Sequence, residues 1–167
     1  MQRGVSSAWI LWILIVAACG AGFVWLTSQS LPPLVASHFG SGGIATGFIA
    51  HRSYVLGVMF VCIVFPLLIV IPISSALDNP RAVINVPNRD YWLTPERRPE
   101  TVAFVRKQML RFGIALLVFV CYVHWLVVRA NGLTPPRLAA GPFVSALAVF
   151  VGFVIVWIAL FFNRFRR

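Results

Sequence analysis

The sequence predicts an all-α integral membrane protein, a single domain of four transmembrane helices with both termini in the cytoplasm. Three observations support this fold class. Only 11% of the 167 residues are charged, against about 25% in soluble domains, and the mean hydropathy is +0.89. Four apolar stretches, each of about 17 to 25 residues, are long enough to cross the hydrocarbon core as helices. The basic residues lie between these stretches and are unevenly distributed between the two sides.

The predicted transmembrane helices cover about residues 8–27, 53–77, 112–128 and 142–162. The first stretch is uncharged and rich in small residues, which suit close packing between helices. A competing interpretation is a lipoprotein signal, because Val16-Ala17-Ala18-Cys19 resembles a processing box. We favour a retained helix, since the apolar run continues well past Cys19, where a mature lipoprotein turns polar.

Prolines and one histidine mark special positions in the later spans. Pro66 and Pro72 remove backbone donors from the second span and predict a kink. His124 lies near the far end of the short third span, where we expect a histidine at the membrane interface. Asn131-Gly132 predicts the end of that helix.

The distribution of basic residues predicts the orientation of the chain. Eleven of the fourteen lie in the N-terminus, the connector 78–111 and the C-terminus. The other three are Arg52, Arg129 and Arg137. Because basic loops remain in the cytoplasm, we expect the connector and both termini inside and the loop 28–52 outside.

The outer loop, residues 28–52, is the first candidate binding segment. It is long, uncharged over most of its length and irregular in composition, and it lies between two apolar spans. We expect it to be ordered and to recognise something outside the cell or at the bilayer surface. Its candidate site residues are His38, Phe39, Gly43, Gly47, Phe48 and His51.

The histidines raise the question of a metal site. Zinc and copper sites need three or four ligands, and the loop offers no Cys, Asp or Glu beside His38 and His51. A site would have to recruit His124 from the same side of the membrane. We therefore expect no metal and no cofactor, with this triad as the alternative. The simpler role for His38 is a hydrogen bond to the backbone of its own loop.

The inner connector, residues 78–111, is the second candidate segment. It holds all four acidic residues and seven basic ones. Tyr, Trp and Arg often anchor interfaces, so docking of a protein partner competes here with packing inside the chain. The helix is expected to start at Thr94-Pro95-Glu96 or at Pro99, with residues 100–111 lying at the lipid headgroups. The candidate residues are Asn88, Arg89, Asp90, Tyr91, Trp92, Glu96 and Arg97.

Several function classes find no support in the sequence. The net charge of +10 does not indicate nucleic acid here, because bases between apolar spans set orientation and attract anionic lipid. No zincin, nucleophile-elbow or phosphate-loop motif occurs, so an enzyme is not expected. Cys19, Cys62 and Cys121 lie in apolar runs and are expected to be buried apolar side chains.

Two motifs carry a resemblance to a known family. The outer loop contains, in order, Leu31-Pro32, Val35, His38-Phe39, Gly43 and Gly47-Phe48, and residues 86–98 read VPNRDYWLTPERR. This pattern resembles a bacterial membrane domain of unknown function, best known as the N-terminal part of the sporulation-delaying-protein immunity (SdpI-like) family. The chain departs from the pattern at Thr46, where the family often has an acidic residue or Asn, and at Phe48, often Trp or Tyr. It also lacks the further spans of the immunity proteins.

The resemblance implies a multi-pass protein of the bacterial inner membrane without established enzymatic chemistry. We therefore expect a non-enzymatic sensor, immunity or accessory protein that meets a protein partner, or a second copy of itself, through residues 30–52 or 86–98. One alternative is a small transporter or channel component, with the kinked second span and His124 lining a path. Another is a metal-binding subunit of a membrane enzyme that uses the outer histidines.

Overall fold

The computed structural model describes residues 3–77, 79 and 84–166. Four helical stretches in this part of the chain are long and apolar enough to cross a membrane: Trp9–Ser28, His51–Ile73, Arg98–Asn131 and Ala140–Arg164. The prediction of a mostly helical, multi-pass membrane protein is confirmed at this level. The elements are α1 (Arg3–Ser28), β1 (Leu34–Phe39), β2 (Ala45–Ala50), α2 (His51–Met59), a π-helical segment (Phe60–Val64), α3 (Phe65–Ala76), α4 (Arg89–Trp92), α5 (Arg98–Asn131) and α6 (Ala140–Arg164).

The expectation of an all-α chain is wrong in one element, because the outer loop folds as a β-hairpin. Strands β1 and β2 pair antiparallel, with Leu34 opposite Ala50 and Ala36 opposite Phe48. Gly42 and Gly43 at the tip have φ of +85° and +79°, a conformation that other L-residues rarely adopt. These glycines reverse the chain between two six-residue strands.

The second span departs from a regular α-helix close to Pro66, one of the two prolines that predict an irregularity there. A five-residue π-helical segment, Phe60–Val64, joins α2 to α3 and ends just before Pro66. Proline lacks a backbone donor and its ring crowds the carbonyl four residues earlier, here that of Cys62. A locally wider turn relieves this crowding, and π segments of one turn are the usual form. Pro72 lies inside α3 without ending it.

Helix α5 differs from the prediction at its start. It runs for 34 residues, or about 51 Å, without a break. Residues 100–111 therefore continue the apolar helix along its axis and do not form a separate segment; their expected position at the lipid headgroups stays a prediction. The helix begins at Arg98 with Pro99 in its first turn, so the Pro99 start is confirmed and the Thr94 start is wrong. The carbonyl of Thr94 accepts the amides of Arg97 and Arg98 in the preceding turn.

Helix α5 is the centre of the bundle and contacts α1, α3 and α6. Small residues allow two of these approaches. A Cβ atom on Gly20 would lie 2.9 Å from Leu117 Cδ2, and one on Gly113 would lie 2.9 Å from Val70 Cγ2. Helix α6 is the most peripheral of the spanning helices, since none of its residues is buried. Its predicted range of 142–162 extends in the structure to Ala140–Arg164.

Candidate functional site

The hairpin is seated on the end of the helix bundle through strand β1. Val35 and Ala36 have no exposed surface, and Val35 joins a buried cluster with Leu31, Tyr54 and Val127. Phe39 packs against the same cluster. The predicted site residue Phe39 thus supports the hairpin and does not present a contact surface.

Asn131, the last residue of α5, fixes β1 through its side-chain amide. Its Oδ1 accepts the amide N–H of Ala36 at 2.8 Å, and its Nδ2 donates to the carbonyl of Ala36 at 3.0 Å. Nδ2 also donates to the carbonyl of Val127 at 2.9 Å. The side chain satisfies both backbone groups of a buried residue, much as a neighbouring strand would. The sequence predicts Asn131 only as part of a helix stop.

The tip of the hairpin is held by the connector between α5 and α6. Leu138 donates its amide to the carbonyl of Gly43 at 2.8 Å, and Arg137 Nε donates to the carbonyl of Gly42 at 3.1 Å. A Cβ atom on Gly43 would lie 2.1 Å from the Leu138 carbonyl oxygen, so no larger residue fits without backbone movement. The hairpin is therefore clamped at its middle and at its tip.

Three apolar side chains of the hairpin are largely exposed. The exposed fractions of Leu34, Ile44 and Phe48 are 64%, 55% and 52%. Leu34 and Phe48 share one face of the sheet, because Ala36 opposes Phe48 and alternate residues of a strand point the same way. The Ala45 amide donates to the Pro136 carbonyl at the outer edge of β2. No third strand of the described chain pairs with the rest of that edge. Exposed apolar surface beside an open strand edge is a recurring form of peptide-binding site.

The three histidines occupy separate environments. His38 is exposed, its Nδ1 contacts Ser37 Oγ at 3.0 Å, and its ring covers Gly47. His51 is half-buried and begins α2, with its amide donated to the Pro33 carbonyl. Within the described chain, no three His, Cys, Asp or Glu residues gather closely enough to hold a metal ion.

His124 is buried between helices. It is 2% exposed and links three helices. Its Nε2 lies 2.9 Å from Thr27 Oγ1, and its Nδ1 lies 2.9 Å from the Tyr54 hydroxyl. Thr27 Oγ1 donates to the carbonyl of Phe23 at 2.7 Å. A neutral His124 protonated on Nε2 satisfies every group, because Thr27 then accepts and Tyr54 donates. The arrangement joins α1, α2 and α5 directly beneath the hairpin.

The inner connector is bound to the end of α6. Asn88 Nδ2 and Trp92 Nε1 both donate to the carbonyl of Phe165, at 2.9 Å and 3.3 Å. Phe165 is 1% exposed and packs edge-on against Trp92. Arg164 lies 4.1 Å from the Trp92 ring centre and forms an ion pair with Glu100. The sequence predicts this end of α6 only as a basic tail.

The remaining connector residues divide into packed and exposed ones. The Arg97 guanidinium stacks 3.6 Å from the centre of the Tyr91 ring. Arg89 and Asp90 form an exposed ion pair at 3.4 Å, and Glu96 is exposed. The geometry favours packing within the chain for Asn88, Tyr91, Trp92 and Arg97. Five residues of the predicted connector, 78 and 80–83, lie outside the described residues.

Comparison with known proteins identifies no relative of this chain. No family model, curated protein or solved structure matches the chain.

Proposed function

We propose that this chain is a non-enzymatic protein of the bacterial inner membrane, a sensor, immunity or accessory protein related to the sporulation-delaying-protein immunity family. It binds a protein partner on the outer side of the membrane through the exposed face of its hairpin. The observation that carries the proposal is the exposure of Leu34, Ile44 and Phe48 on a hairpin that the rest of the chain holds in place.

The clamps favour recognition by this surface. Binding loses affinity when a loop must be ordered on association, so a surface already fixed in position binds more tightly. Asn131 and Leu138 supply this fixation from within the chain. An extended segment of the partner would pair with the free edge of β2 and place apolar side chains against Leu34 and Phe48.

The orientation in this proposal rests on the charge distribution. The eleven basic residues of the N-terminus, the connector and the C-terminus would meet anionic lipid at the cytoplasmic face. The connector has a supporting role, because Asn88 and Trp92 are engaged with Phe165. It holds the cytoplasmic ends of α5 and α6 together and leaves recognition to the hairpin.

The transport and metal alternatives have weaker support in the geometry. A path lined by His124 needs a ring nitrogen free for the passing ion or proton, and both nitrogens contact hydroxyl groups of the protein. A metal shared by the histidines needs His38, His51 and His124 together, and they are not gathered into such a group. The kinked second span is explained by Pro66 alone.

A site-specific crosslinking experiment tests the proposal. A photoreactive amino acid replaces Phe48 in the full chain, expressed in its native membrane, and the adducts are identified by mass spectrometry. We expect one defined protein adduct, which decreases at least tenfold when Leu34→Ser is added. The matched control places the same photoreactive residue at Arg89, an exposed position on the connector. Equal yields of the same adduct at both positions, or adducts with lipid alone, would contradict the proposal.

A further inference from the structure

Two cysteines from different helices meet inside the bundle. Cys62 lies in the π-helical segment and Cys121 lies in the middle of α5, 59 positions later. Their Sγ atoms are 3.9 Å apart. A disulfide requires about 2.05 Å, so the two sulphur atoms must move closer before a bond forms. Cys19, in contrast, is exposed on α1 and makes no thiol contact within the described chain.

The two sulphur atoms differ in access. Cys62 has no exposed surface, whereas Cys121 is half-buried and lines a groove of about 380 Å³. The other lining residues are Phe23, Tyr122 and Trp125. All of them belong to α1 and α5, two helices apolar enough to cross a membrane, so in a bilayer the groove would face lipid rather than water. A reagent that reaches Cys121 by this route must dissolve in the bilayer and suit an aromatic lining.

We propose that Cys62 and Cys121 are a redox-active dithiol within the membrane, which a lipid-soluble quinone in the groove beside Cys121 oxidises to a disulfide. A quinone meets both requirements of the groove, because it partitions into lipid and its planar ring stacks on aromatic side chains. It also accepts two electrons, the number that a dithiol releases.

The reaction is balanced by these two reactants. Both S–H bonds break, one S–S bond forms between Cys62 and Cys121, and two electrons leave the sulphur atoms. The quinone takes up the two electrons and the two protons on its two carbonyl oxygens and becomes a hydroquinone. Each chain reacts once until a reductant restores the thiols, so the step sets a state of the protein and does not turn over substrate.

A disulfide between Cys62 and Cys121 would affect the structure, because Cys62 lies in the π segment. The π segment is the irregular part of the second span, and α5 is its straight neighbour. A covalent link between them would fix the π segment against α5. The His124 contacts with Thr27 and Tyr54 lie one turn farther along α5, toward the hairpin.

The test uses the full chain reconstituted without oxygen in phospholipid vesicles. A fully substituted short-chain benzoquinone is the probe, because it has no open ring position to which a thiol can add. After denaturation, a maleimide counts the free thiols by intact mass. We expect two of the three thiols to become unreactive, the chain to be two hydrogen atoms lighter, and one hydroquinone to form per chain. A reductant should restore all three thiols.

Variants identify the pair, and a second oxidant identifies the route. Cys19→Ser should be oxidised like the unaltered chain, whereas Cys62→Ser and Cys121→Ser should keep both remaining thiols. Three reactive thiols after quinone treatment of the unaltered chain would overturn the proposal, as would equal oxidation of Cys62→Ser. Oxidation by a charged, water-soluble disulfide at the same rate would exclude entry from lipid.

Discussion

At the hairpin end of the bundle, Leu34 and Phe48 expose more than half of their surface, whereas at the connector end Phe165 exposes 1%. Both ends are fixed by an asparagine side chain that bonds to distant backbone, Asn131 to Ala36 and Asn88 to Phe165. The connector is the richer segment in residues typical of interfaces, yet most of its aromatic surface is used within the chain. The difference teaches that residue type alone does not locate a binding surface, since the partner of an aromatic side chain can be the chain itself.

The largest effect is expected from Gly43→Ala at the hairpin tip. The new methyl group would meet the Leu138 carbonyl, and φ of +79° is strained for alanine. We expect a loss of about 3 kcal/mol in the free energy of unfolding, measured by denaturant titration in detergent. Gly42→Ala is the matched control, because its φ is +85° but no atom lies within 4 Å of the added carbon. It should lose about 1 kcal/mol; equal losses would mean that the tip is not clamped.

Asn131→Ala should loosen the hairpin from α5. The change leaves the amide and the carbonyl of the buried Ala36 without their partner, which costs about 2 kcal/mol. Hydrogen exchange of the β1 amides should become at least tenfold faster, while the amides near Trp92 keep their rates. Asn131→Asp keeps an acceptor for Ala36 N–H and should retain part of the protection. Unchanged exchange in β1 would show that the strand is held by its apolar contacts alone.

Asn88 offers the corresponding test at the connector end. Its φ is +52°, which glycine adopts freely and alanine does not. Asn88→Gly removes only the bond to the Phe165 carbonyl and should reduce the free energy of unfolding by about 1 kcal/mol. Asn88→Ala should reduce it by about 1 kcal/mol more, through backbone strain. If both variants match the unaltered chain in denaturant titration, the contact with Phe165 contributes nothing to stability.

Arg89→Ala should have the smallest effect. The Arg89–Asp90 pair is exposed, and its side chains are 62% and 96% accessible. Exposed pairs contribute little, because water and salt screen them. The unfolding temperature and the Phe48 crosslink should both remain unchanged. A lost crosslink would assign part of the recognition to the connector and weaken the contrast between the two ends.

The sequence alone was sufficient to predict the features that the surrounding solvent or the local backbone determines. The four spans could be predicted because a chain can cross lipid only as long apolar helices. The irregular turn before Pro66 could be predicted because proline has no backbone N–H to donate. The hairpin was missed because Ala36 and Gly47 weaken the strand pattern.

Contacts between distant residues could not be predicted. Asn131 and Ala36 are 95 positions apart, and Asn88 and Phe165 are 77 apart. The burial of His124 between three helices is likewise not visible in its own span. Only the fold shows that Tyr54 and Thr27 approach it.

The length of α5 has a mechanical consequence. Thr101 Oγ1 near its start holds the Trp92 carbonyl, and Asn131 at its end holds Ala36. Thirty residues of unbroken helix place these two attachments about 45 Å apart on one stiff rod. An axial push or a tilt applied by a ligand at one membrane face therefore reaches the other face within a single element. The two attachments are thereby joined through one continuous helix, without intermediate contacts between separate elements.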